Sequence, residues 1–136
     1  MLEALPALFE VVDFSTPGKI AFGAHMRLQT LRTALASPKT AGDVKLDTLF
    51  TLTTEAAFRA NEPLHYAMGR EALRWLASKG LLWDYYHRWQ REQLDDPAGD
   101  RSFQETVHKT PAEATAEWQQ WLLRPEAEGF TPWRRW

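Results

Sequence analysis

Residues 61–80 read NEPLHYAMGREALRWLASKG, and this stretch decides the fold class. Asn61 is a natural N-cap. Pro63 suits the opening turn, where its missing N–H leaves no helical bond unmade. Leu64, Met68, Ala72, Trp75, Leu76 and Lys79 then recur at helical spacing and trace one stripe. Gly80 takes readily to the left-handed backbone that stops a helix. The pattern predicts a long amphipathic helix over 62–79.

Working downstream, residues 81–95 predict a second long helix that buries Leu82, Tyr85, Tyr86, Trp89 and Leu94. Asp96-Pro97-Ala98-Gly99 is a turn, and a helix follows over 100–108. The clearest start signal is Thr110-Pro111-Ala112-Glu113. Thr110 caps, Pro111 sits at N1 and Glu113 at N3, a capping box that opens a helix over 111–123. Its apolar side is Ala114, Trp118, Trp121 and Leu122. Beyond Arg124, the residues Pro125, Gly129 and Pro132 mark a tail.

Working upstream, Thr54 caps a short helix over 54–60, and another fits 46–51. Residues 37–45 form a polar connection. Over 24–36, Leu28, Leu31 and Leu35 face one way, with Arg27 and Arg32 toward water. Residues 13–23 carry Pro17, Gly18 and Gly23 and read as loop. Residues 2–12 (LEALPALFEVV) read as a short helix. No segment alternates convincingly between apolar and polar residues, and no internal repeat is present. The expectation is an all-α, irregular bundle of five to seven helices joined by short loops. A single helical domain spans 1–124, and a Trp/Arg-rich tail spans 125–136.

Composition narrows the function classes. The chain has 136 residues, with 16 Lys and Arg against 18 Asp and Glu, a net charge of −2. That balance argues against a nucleic-acid partner, even with seven Trp residues available for base stacking. There is no Cys, which excludes disulfides, thiol nucleophiles and Cys-based metal sites. The longest apolar run, 5–9, is far too short for a membrane span. The sequence opens without a basic n-region or signal-peptide core, so nothing predicts a compartment.

The common catalytic signatures are missing: no GxSxG, no Walker loop, no GxGxxG. His25, His65, His87 and His108 include no pair four residues apart, so none makes a two-ligand zinc turn, and surface or hydrogen-bonded roles are expected. The acidic run 95–100 has the wrong spacing for a calcium loop and reads as a solvated turn. Trp75, Trp89, Trp118 and Trp121 sit among apolar residues at helical spacing and read as core. The segment Phe130 to Trp136 reads either as folding back on the domain or as docking on a partner.

Two stretches carry a resemblance. Leu2-Glu3-Ala4-Leu5-Pro6-Ala7-Leu8-Phe9-Glu10 resembles the W-L-x-E-G-L-A-x-x-F-E helix of gluzincin metallopeptidases. Tyr66-Ala67-Met68-Gly69 is similar to the Y-x-x-G that opens a later helix of the same superfamily. Gly80 to Tyr86, Asp96-Pro97 and Glu113 to Trp121 continue like the C-terminal helices of peptidase-MA-like bacterial proteins. The resemblance covers about residues 1–124. It implies that Glu3 is the third zinc ligand and that Tyr66 hydrogen-bonds the oxyanion of the tetrahedral intermediate. The chain departs from the family in having no H-E-x-x-H, and in placing Ala4 and Pro6 where Gly and Ala would stand.

The family's site needs two His and one Glu for zinc, and its general base is the Glu of H-E-x-x-H. The resemblance therefore implies a catalytically incomplete C-terminal part, inactive alone and with no cofactor expected in this chain. It further implies that Leu2, Leu5 and Phe9 meet a missing N-terminal half or a second copy. The alternative is a small helical interaction module or homo-oligomer with no enzymatic role.

Overall fold

The computed structural model describes residues 10, 12–13, 15, 17, 20–129 and 131–133. Among them are seven α-helices and a small sheet, in the order β1 (Val12–Asp13), β2 (Ile20–Phe22), α1 (Met26–Ala36), α2 (Leu46–Thr51), α3 (Glu55–Arg59), α4 (Glu62–Ser78), α5 (Leu82–Glu92), α6 (Asp100–Val107), α7 (Pro111–Leu122) and β3 (Thr131–Trp133). The chain is all-α in character. No described helix is long and apolar enough to cross a membrane.

Helix α4 is the axis of the bundle. It packs against α1, α2, α3, α5, α7 and β3. Its start and stop follow the local chemistry: Pro63 lies in the first turn, and Gly80 follows the helix at φ 70°. The one-sided stripe predicted for it is too narrow. Every residue from Ala67 to Ala77 is buried, because neighbours cover the helix on all sides. Lys79 is the exception at the other extreme. It leaves the stripe at the helix end, with its ammonium 5.1 Å from the Trp75 ring centre and 2.7 Å from Glu117.

Full burial of α4 takes Arg70, Glu71 and Arg74 out of water completely. Arg70 donates to Glu71 Oε1 at 2.8 Å and to the Gly23 carbonyl at 2.7 Å. Arg74 donates to Glu71 Oε2 at 2.6 Å, and to the carbonyls of Ala127 and Gly129 at 2.6 and 2.9 Å. Its guanidinium also sits 5.4 Å from the centre of the Trp121 ring. Burial lowers the Arg74 pKa, against the pull of Glu71. The cluster thus fastens the backbone just after β2 and just before β3 to the central helix.

The sheet is antiparallel, in order β1-β2-β3, with Val12 opposite Phe22 and Ala21 opposite Pro132. Pro132 is tolerated because β3 is an edge strand. These strands correct three expectations. Val12, placed in a helix over 2–12, belongs to β1. Residues 20–22, read as loop, form β2. Residues 131–133, read as tail, pair with β2. The remainder of 2–12, apart from Glu10, lies outside the described residues.

The other helices match their signals closely. Thr110 accepts from the Glu113 N–H at 3.2 Å, and Glu113 accepts from the Thr110 N–H at 3.0 Å, closing the capping box. Thr54 caps α3 through the Ala57 N–H. Trp75 and Trp118 are fully buried and Trp121 nearly so. Trp89 is only half-buried, its Nε1 donating to the Pro97 carbonyl at 3.4 Å. Leu94, expected inside, is 94% exposed, because α5 ends at Glu92 and the chain turns away. Arg32, expected in water, instead reaches across to α7. It donates to the carbonyls of Leu122 and Arg124 at 2.7 and 2.9 Å and pairs with Glu128, satisfying carbonyls that the helix end leaves open.

Candidate functional site

Tyr66 lies in the second turn of α4, half-buried. Pro63 sits in the opening turn, and Asn61 holds the cap position without a side-chain capping bond, so the tyrosine projects where α4 meets α3. Phe58 of α3 packs edge-on against it, ring centres 4.8 Å apart at 88°. The neighbouring His65 is buried and bonds through Nδ1 to the Phe58 carbonyl at 2.6 Å. The carbonyl can only accept, so Nδ1 carries the proton in this bond. His65 thereby locks the end of α3 to the start of α4.

On its other side Tyr66 meets Arg27, whose guanidinium carbon is 5.4 Å from the ring centre. Arg27 was expected to face water. It instead makes a two-pronged bond to Glu10, at 3.1 Å through Nε and 3.0 Å through Nη2. The Arg27 hydrogen bonds hold the Glu10 carboxyl below its usual range, with partial burial working the other way. The same bond raises the Arg27 pKa. His25 caps α1, its Nδ1 accepting from the Arg27 N–H, and that nitrogen also lies 3.4 Å from Glu10. Glu10, Arg27 and Tyr66 therefore form a chain of contacts from the N-terminal segment to the start of α4.

Beside Tyr66 opens a cleft of about 300 Å³. It is lined by Leu52, Thr53 and Thr54 from the exit of α2, by Glu55, Phe58 and Arg59 of α3, and by Glu62 and Tyr66 of α4. Leu52, Phe58 and Tyr66 make apolar walls. Arg59 is paired with Glu55 at 2.8 Å, one helical turn apart. Glu62 has no ion pair or hydrogen bond through its side chain among the described residues, and the same holds for a hydrogen bond from the Tyr66 hydroxyl. No family model, curated protein or solved structure matches the chain.

Glu3, the zinc ligand implied by resemblance, lies outside the described residues. Among the described residues no group of three His, Asp or Glu is placed to hold a metal ion. The described residues therefore do not by themselves fit a zinc site. The four histidines have separate roles or settings: His25 and His65 as above, exposed His87 beside Trp83 and Tyr86, and His108 at the C-cap of α6 with φ 63°.

The acidic run 95–100 corrects another expectation. Asp96 is buried, not solvated. Its carboxylate accepts from the Arg101 N–H at 3.3 Å, and from the Ser102 N–H and hydroxyl at 2.7 Å each. It caps α6 from outside the helix. Burial pushes its pKa up, but the hydrogen bonds from Ser102 and Arg101 outweigh that and hold it low.

Sequence reasoning singled out Tyr66 but missed its surroundings. The pairing of Glu55 with Arg59 is visible as an i,i+4 spacing. Nothing local in the sequence announces that Glu10 and Arg27 meet, since they are joined only through the tertiary fold.

Proposed function

We propose that this chain supplies the third-ligand and tyrosine portion of a gluzincin-like metallopeptidase site, and that it does not hydrolyse peptides alone. The observation that supports the reading is the contact chain Glu10–Arg27–Tyr66. Glu10 closes the stretch that resembles the third-ligand helix, and Tyr66 opens the Y-x-x-G helix. Glu10 and Tyr66, far apart in sequence, are bridged by one arginine. A Tyr66 hydroxyl without a hydrogen bond among the described residues is available to donate to a developing oxyanion.

The test has two parts. The coding sequence preceding Met1 is read for a β-rich segment with H-E-x-x-H. Zinc content and peptidase activity are then measured for the 136-residue chain alone and for the polypeptide that includes that segment. Expected are no stoichiometric zinc alone, zinc with the added segment, and loss of that zinc in Glu3→Ala. The reading fails if no such segment precedes the chain, or if zinc uptake ignores Glu3→Ala.

A second reading, an interaction module or homo-oligomer, draws on α5. There Trp83 and Tyr86 pack edge-to-face at 5.7 Å beside exposed His87, an aromatic group left only half-buried. A concentration-independent monomer by light scattering, unchanged by Tyr86→Ala, would argue against self-association.

A further inference from the structure

We infer that the cleft beside Tyr66 receives the side chain of an arginine or lysine from an extended peptide. The inference rests on the reading above in taking Tyr66 as part of a peptide-handling site. Its own support is the chemistry of the lining.

Leu52, Phe58 and Tyr66 offer apolar surface along which a long side chain can lie. At about 300 Å³ the cleft is at the small end of ligand pockets, suited to one side chain and not to a folded partner. Its charges are unbalanced. Arg59 is already matched by Glu55, which among the described residues leaves the Glu62 carboxylate as the unpaired charge in the lining. Glu62 sits in the first turn of α4, where the helix dipole favours a negative group.

An occupant must therefore join an apolar stem to a cationic tip. Arginine and lysine do so, burying methylenes while the head stays near water and a carboxylate. An acidic side chain is repelled by Glu62. A purely apolar one would cover that carboxylate without pairing it.

The experiment titrates acetyl-Ala-Arg-Ala-amide and its citrulline counterpart into the 136-residue chain, followed by backbone amide NMR. Citrulline keeps the shape of arginine and removes the charge. Both peptides should shift amides between residues 52 and 66, at the millimolar strength of a single side-chain site. The arginine peptide should bind about fivefold tighter, the strength of one solvent-facing ion pair. Glu62→Gln, an exposed position, should bring the two peptides together, which isolates the pairwise term.

Equal affinity for the two peptides in the unaltered chain overturns the inference. So does arginine selectivity that survives Glu62→Gln, or an absence of cleft shifts up to about 20 mM peptide, far beyond millimolar affinity. The zinc experiment leaves Glu62 untouched, so the two failures separate. Selectivity without zinc leaves a peptide-binding domain, and zinc without selectivity leaves a peptidase part with another preference.

Discussion

Glu71→Gln is the sharpest perturbation this fold permits. The side chain keeps its size and loses its charge, at a position with no exposure to water. Arg70 and Arg74 both lose the carboxylate they share, at 2.8 and 2.6 Å. Neither guanidinium can swing into solvent without pulling away from the carbonyls of Gly23, Ala127 and Gly129. Removing one partner of a buried ion group costs about 3–5 kcal/mol. Against a total stability of about 5–15 kcal/mol, that is a large fraction. For a chain of this length it lowers Tm by roughly 10–17 °C. The assay is urea unfolding followed by tryptophan fluorescence, with Glu55→Gln as the control. Glu55 pairs with Arg59 on the surface, where a salt bridge contributes about 0–1 kcal/mol. Native-state hydrogen exchange adds a local reading: amides of β2 and β3 should lose protection beyond the global change. A loss under about 1 kcal/mol, no larger than an ordinary point substitution, would refute the view that this cluster clamps the sheet.

Four further outcomes follow from the caps and turns. Gly99→Ala should cost about 2–4 kcal/mol in thermal unfolding, since a left-handed backbone and an overpacked site add together; its φ is 84° and a Cβ would lie 2.5 Å from the Tyr85 hydroxyl. Gly80→Ala, with φ 70° and no neighbour within 4 Å, should cost only the backbone share, about 1–2 kcal/mol. Asp96 has a depressed folded-state pKa, so its contribution is present above the unfolded value and fades as pH falls through the folded one. Stability titrated from neutral to acid should therefore decline more steeply below the usual carboxylate range in the unaltered chain than in Asp96→Asn. Thr110→Ala should lose about 1 kcal/mol by denaturant unfolding, the ordinary value of an N-cap.

Helix ends were legible because they depend on local chemistry. Thr110, Pro111 and Glu113 act within one turn, as do Thr54 and Gly80. The bundle class was legible from the apolar spacing in 61–80. The sheet was not, because strands of two and three residues carry no period, and β2 pairs with β3 across most of the chain. Arg70, Glu71 and Arg74 read as solvent-facing on any hydropathy pattern. Their burial comes from neighbours that only the tertiary fold assembles. The same holds at the candidate site. Tyr66 stood out through its Y-x-x-G context, whereas the cleft takes its lining from α3, α4 and the segment that leaves α2.

The Arg74 bonds carry a consequence for the order of synthesis. Arg74 leaves the ribosome more than fifty residues before its carbonyl partners at Ala127 and Gly129. Until those partners emerge, α4 has two guanidiniums and a carboxylate that water still solvates better than the half-made bundle does. The emerging chain is thus biased to keep its central helix accessible while the flanking helices form from local contacts. Closing the sheet across roughly a hundred residues then comes last, in one step with the desolvation of the arginines. A nascent chain stalled after α7 should remain an open, protease-sensitive bundle, and the few residues that follow should convert it to the resistant form.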